Sequence, residues 1–112
     1  MVEKQISKAT QEKFAELQLL QQRLSIFSAQ KQQFQLQLAE VENALAELVK
    51  AKPPIYKLVG ELLIEKKPEE LKNELEERKT ELDIRVKSLD KQESKTKESL
   101  MELQKEISAE LK

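Results

Sequence analysis

The sequence has no cysteine, no histidine and no tryptophan, and it holds one glycine, three prolines and one tyrosine. Without cysteine or histidine there is no thiolate nucleophile, no imidazole base, no nitrogen or sulfur ligand for a metal, and no disulfide framework. Acid–base work would fall to carboxylates, and these lie on solvent-facing helix stripes with no apolar pocket to shift their pKa. A single glycine does not build a phosphate-cradling loop. The chain is therefore read as a non-enzyme that uses no metal, nucleotide or other cofactor.

Charge of one sign is also missing. Twenty Lys and Arg stand against 21 Asp and Glu, and residues 1–52 carry a net +1 while residues 68–112 carry −3. No basic field is available for nucleic acid or an anionic membrane, and three Phe with one Tyr make no stacking platform. The start, MVEKQISKATQEKF, has no apolar run of signal-peptide length, and no segment approaches the roughly 18 apolar residues of a membrane span. The expectation is a soluble cytoplasmic protein with neither a nucleic-acid nor a membrane partner.

What is present is helix. Charged residues make up 37% of the chain, above the roughly 25% of a globular average, and Leu, Glu, Lys, Gln and Ala dominate. One domain over 1–112 is expected, without a compact core. From Ile6 to Leu48 a heptad seam runs through Leu17, Leu20, Leu24, Phe27, Phe34, Leu38, Val41 and Leu45, broken by Thr10, Lys13 and Lys31. Lys31 reads as a snorkelling or register-marking lysine. A first coiled-coil helix is expected over 4–51, stopped by Pro53-Pro54.

A second helix is expected over 68–111. Proline at 68 suits the first helical position, with Glu69 and Glu70 against the positive end of the dipole, but Lys67 gives no side-chain cap. Its seam passes through Leu71, Leu75, Leu82, Val86, Leu89, Leu100, Leu103, Ile107 and Leu111. Glu93 and Thr96 interrupt it within DKQESKTKES (90–99), where packing is expected to weaken. Pairs Glu74/Arg78, Glu81/Arg85, Asp83/Lys87 and Glu93/Lys97 have the spacing that supports an exposed face. Folded about residue 60, the helices form an antiparallel coiled coil whose partners sum to about 120, with both termini at one tip.

Between them lies IYKLVGELLIEK (55–66), a β-hairpin with a type II′ turn at Gly60-Glu61. One face carries Ile55, Val59, Leu62 and Ile64, the other Tyr56, Leu58 and Leu63. A lone hairpin is not stable, and apolar residues on both faces call for cover from other copies or subunits. The expected solution is a multimer in which hairpins close into a central β assembly and coiled coils project outward.

KQQFQLQLAEVENALAEL (31–48), the Tyr-Lys-x-x-Gly-x-Leu-Leu hairpin of residues 55–66 and LEERKTELDIRVKSLDKQE (75–93) resemble, in order and spacing, the segments of prefoldin β-type subunits. AKPP at 51–54 is shorter than the loop common in that family. The resemblance implies a mainly α fold, with two long helices joined by a hairpin that oligomerises into a β-barrel platform. It further implies a hetero-hexamer of two α-type and four β-type subunits, an ATP-independent holding chaperone that takes unfolded proteins at its coiled-coil tips and delivers them to a group II chaperonin. Hairpin residues for oligomerisation are Ile55, Tyr56, Leu58, Val59, Gly60, Leu62, Leu63 and Ile64; apolar tip residues for client binding are Val2, Ile6, Phe14, Leu103, Ile107 and Leu111. The rival reading is a coiled-coil scaffold or spacer that never touches unfolded protein, which needs only a polar turn where this chain has a two-faced hairpin.

Overall fold

In the computed structural model, which describes residues 6–111, helix α1 spans Lys8–Lys50, strand β1 Ile55–Val59, strand β2 Leu62–Lys66 and helix α2 Pro68–Glu110. Both helices have local reasons for their ends. Ser7 caps α1 at Lys8; residues 4 and 5 of the expected span lie outside the described residues. The Ser7 hydroxyl oxygen accepts the Thr10 N–H at 3.1 Å and its carbonyl accepts the Gln11 N–H at 3.0 Å, satisfying donors that a helix start leaves open. At the other end Ala51 N–H still reaches the Glu47 carbonyl at 3.0 Å before the proline pair ends the ladder.

α2 starts at Pro68 as expected. Lys67 contributes only its backbone, its carbonyl accepting the Leu71 N–H at 3.1 Å, and Glu69 and Glu70 lie in the first turn. The two strands form one antiparallel sheet in which Ile55 pairs with Lys66 and Val59 with Leu62. Gly60 has φ of +60°, and Glu61 has no positive φ, which fits a type II′ turn and excludes type I′.

The chain packs as two compact units, one made of the residues up to Lys31 with those from Ser88 onward, the other of Gln32–Lys87. In the first, α1 and α2 run antiparallel, with Lys31 opposite Glu93 and Thr10 opposite Glu110. Those pairs sum to 124 and 120, the register expected from a fold about residue 60. Its buried apolar residues are Leu89, Leu103 and Ile107. In the second unit Leu82 is fully buried, and the Arg85 guanidinium lies over the Phe34 ring, 5.4 Å from its centre. All twelve described heptad positions from Thr10 to Leu48 on α1 are buried or half-buried, so the seam read from the sequence is the packed face.

Of the four charge pairs expected along α2, Asp83–Lys87 (3.1 Å) and Glu93–Lys97 (3.7 Å) form. The other two are replaced: Glu74 turns to the hairpin, Arg78 donates to Gln37 Oε1 at 3.1 Å and lies 3.9 Å from Glu81 one turn on, and Arg85 covers Phe34. Among the described residues no helix is long and apolar enough to cross a membrane.

Candidate functional site

Two places carry the chemistry available to this chain: the hairpin in one unit and the terminal end of the helix pair in the other. Strand alternation decides the hairpin. Residues paired across the ladder share a face, so Ile55, Lys57, Val59, Leu62, Ile64 and Lys66 form one side, and Tyr56, Leu58, Leu63 and Glu65 the other. The open end of the first side rests on the helices. Lys57 and Lys66 both donate to the Glu74 carboxylate at 3.0 Å, and Ile55 is half-buried in a groove of about 430 Å³ lined by Ala44, Leu48, Leu71 and Leu75. The two lysine hydrogen bonds hold the Glu74 pKa below its ordinary 4.5.

Beyond that anchored end the hairpin is bare. Tyr56, Leu58, Val59, Leu62, Leu63 and Ile64 are all exposed, Leu62 and Leu63 at 68%. This apolar surface lies on both faces and at the turn, with both strand edges open in a two-stranded sheet. Gly60 has nothing within 4 Å of where a Cβ would stand, so its requirement is conformational: an L-residue is disfavoured at φ +60°.

The sequence-predicted tip residues separate into three groups. Val2 lies outside the described residues. Ile6, Phe14 and Leu111 are exposed, whereas Leu103 and Ile107 are buried, at 7% and 5% exposure. The cross-helix contacts near them are polar. Thr10, 3% exposed at a heptad position, donates its hydroxyl to Glu110 Oε2 at 2.6 Å; Lys13 donates to Glu110 Oε1 and lies 3.5 Å from Glu106. Since the Thr10 proton goes to Glu110, the 2.8 Å contact between Ser7 and Thr10 hydroxyls has Ser7 as donor. The Lys13 and Thr10 hydrogen bonds hold Glu110 below its ordinary pKa, and hydrogen bonding by Glu110 raises Lys13.

The loosening expected at 90–99 is not what the packing shows. Glu93 is 7% exposed and its carboxylate accepts Ser28 Oγ and Lys31 Nζ, each at 2.8 Å, with Lys97 at 3.7 Å. Lys31 also reaches Asp90 at 3.2 Å, and Thr96 returns its hydroxyl to the Gln92 carbonyl at 2.7 Å. Lys31 is thus an ion-pair partner across the helices rather than a snorkelling side chain. Hydrogen bonds from Lys31 and then Ser28 depress the Glu93 pKa; those to Glu93 and Asp90 raise Lys31. Among the described residues every buried side-chain polar atom has a partner. The signal for these bridges was in the sequence: each polar break in the α1 seam has an acid opposite it at a sum near 120.

The family model described as "Prefoldin subunit" matches residues 11–112. Among curated proteins, the chain is 40% identical over 95 residues to prefoldin subunit beta of Archaeoglobus fulgidus, covering 83% of this chain and 82% of that one. It is 37% identical over 104 residues to prefoldin subunit beta of Thermococcus gammatolerans, covering 91% and 89%. Among solved structures, the crystal structure of the prefoldin beta subunit from Thermococcus strain KS-1 superimposes with a TM-score of 0.87 at 32% identity, covering 96% of each chain.

Proposed function

We propose, from the premise that this chain belongs to the prefoldin subunit family, that it is a β-type subunit of an ATP-independent holding chaperone. Subunits of that family are non-enzymatic chaperone components that form complexes with other prefoldin subunits. The finer reading is ours: four copies of this chain join two α-type subunits through a β-barrel platform in the cytoplasm. The tips hold unfolded proteins and pass them to a group II chaperonin.

The observation that carries it is the bare hairpin. Its large apolar side chains stand exposed on both faces, and the chain's own helices anchor only its open end. Burying such a surface between copies is the economical way to remove it from water, at roughly 25 cal/mol per Å² of apolar area. Client holding at the tips is supported by the exposed Ile6, Phe14 and Leu111 beside the helix ends. Each contact is shallow, and several tips acting on one client raise the affinity through effective concentration.

Light scattering on this chain, alone and mixed with an α-type partner, with aggregation of a denatured client followed on the same samples, tests the reading. A hexamer that suppresses aggregation without nucleotide supports it. A stable complex that leaves client aggregation unchanged makes the chain a scaffold and ends the holding reading. Changing Ile6 and Phe14 to Ser is expected to weaken suppression while the mass of the complex stays the same.

A further inference from the structure

We infer that Glu110 is the latch of the tip: its carboxylate ties Thr10 and Lys13 of α1 to the last turn of α2, and release of this clasp opens Leu103 and Ile107 to an apolar, non-native polypeptide. The inference rests on the client-holding reading above and adds regulation to it.

Geometry carries the first step. Glu110 accepts the Thr10 hydroxyl at 2.6 Å and the Lys13 ammonium on its other oxygen, while Ser7 holds the Thr10 side chain in place as it caps α1. Ile107 lies about one turn before Glu110 and Leu103 about two, and both are buried. The clasp is therefore a cross-helix tie in the last turn of α2, one and two turns beyond the buried apolar pair.

Chemistry carries the second. Positions 10 and 13 belong to the heptad seam, where apolar residues would bind the helices more tightly than paired polar ones. The Lys13 ammonium and the Glu110 carboxylate are partly solvated and can exchange one another for water at small net cost. The buried Thr10 hydroxyl meets water only as the helices part, and uncovering Leu103 and Ile107 exposes apolar surface. Glu106 and Glu110 keep 57% and 32% of their side chains in solvent, so water already reaches the acidic side. At the clasp the tip is thus closed by contacts that open readily, and the apolar side chains uncovered on opening are ones that a non-native client would cover again. Ile6, Phe14 and Leu111 stand exposed at the rim as first contacts.

The chain has no cysteine, so Thr10→Cys with Glu110→Cys places the only two thiols at the latch. The full chain carrying both changes is assembled with an α-type partner and compared before and after bridging by a short bis-maleimide. Unbridged, it lacks the clasp and is expected to suppress client aggregation at several-fold lower concentration than the parent, with faster hydrogen exchange over residues 103–110. Bridged, it is expected to hold clients several-fold less well than the parent, with slowed exchange in the same segment. Glu110→Ala is expected to behave as the unbridged protein.

Equal holding by bridged and unbridged complexes overturns the latch. So does unchanged exchange over 103–110 in Glu110→Ala, whatever the holding assay gives. A parent complex that holds no client at all instead overturns the holding reading, and the exchange data then report separately whether Glu110 closes the tip.

Discussion

In the unit built from the terminal segments, polar side chains occupy inward heptad positions and are met from the opposite helix: Thr10 by Glu110, Lys13 by Glu106 and Glu110, Lys31 by Asp90 and Glu93. In the unit of residues 32–87 the reverse holds, since six large apolar side chains of the hairpin stand in solvent. The first unit satisfies its polar groups within one chain. The second leaves its apolar groups unsatisfied, and that is the surface a multimer would use. Polarity and burial are decoupled in opposite directions along one sequence, so composition alone does not locate the surface that matters.

The comparison breaks most visibly at the hairpin. Leu58→Lys with Leu63→Lys, two cross-strand partners on one face, is expected to abolish assembly with an α-type subunit, reducing the scattering mass to that of unassembled chains while helical circular dichroism is retained. If the mass is unchanged, the bare faces are not the assembly surface. Leu82, fully buried in the same unit, is the control on the folded side. Leu82→Ala is expected to cost about 2–5 kcal/mol in urea or thermal unfolding. A loss much below that would mean the seam collapses around the vacancy.

The polar seam is sharpened by a double-mutant cycle. Lys31→Leu leaves the buried Glu93 carboxylate without its main partner and is expected to lower the melting temperature. Adding Glu93→Leu is expected to restore or exceed the parent value, because an apolar pair replaces a desolvated ion pair. The same bridges set a pH dependence. Folded-state pKa values of Glu74, Glu93 and Glu110 lie below the ordinary 4.5, so the unfolded chain takes up protons first as the medium acidifies. Their stabilisation is complete above that value and is lost as pH falls through the folded pKa. Melting temperatures measured from pH 6 downward should therefore decline more gently in the Lys31→Leu/Glu93→Leu protein.

The smallest expected effect is at the turn. Gly60→Ala meets no neighbour but places a side chain at φ +60°, costing about 1–2 kcal/mol of hairpin conformation. In the assembled complex this is expected as a modest fall in melting temperature with the mass retained. Loss of assembly would show that the turn itself packs against another subunit.

Much was legible from the chain because heptad and strand periods are local. Leu17 to Leu48 and Leu71 to Ile107 marked the packed faces, Pro68 the start of α2, and Gly60 the only residue suited to the turn. The Ser7 cap was missed because the apolar pattern begins before it, at Ile6. Glu93 was read as a gap because one helix shows only that a position lacks an apolar knob.

By itself the sequence determined two amphipathic helices, a two-faced hairpin between them and their approximate register, since each follows from spacing along one chain. Tertiary structure alone decided that Glu93 and Thr10 are buried, that Lys31 and Lys13 are bridged, and that Leu103 and Ile107 are buried while Leu62 and Leu63 remain bare. The physical reason is that desolvation and hydrogen bonding are set by the partner facing a residue, and that partner lies 60 to 100 positions away.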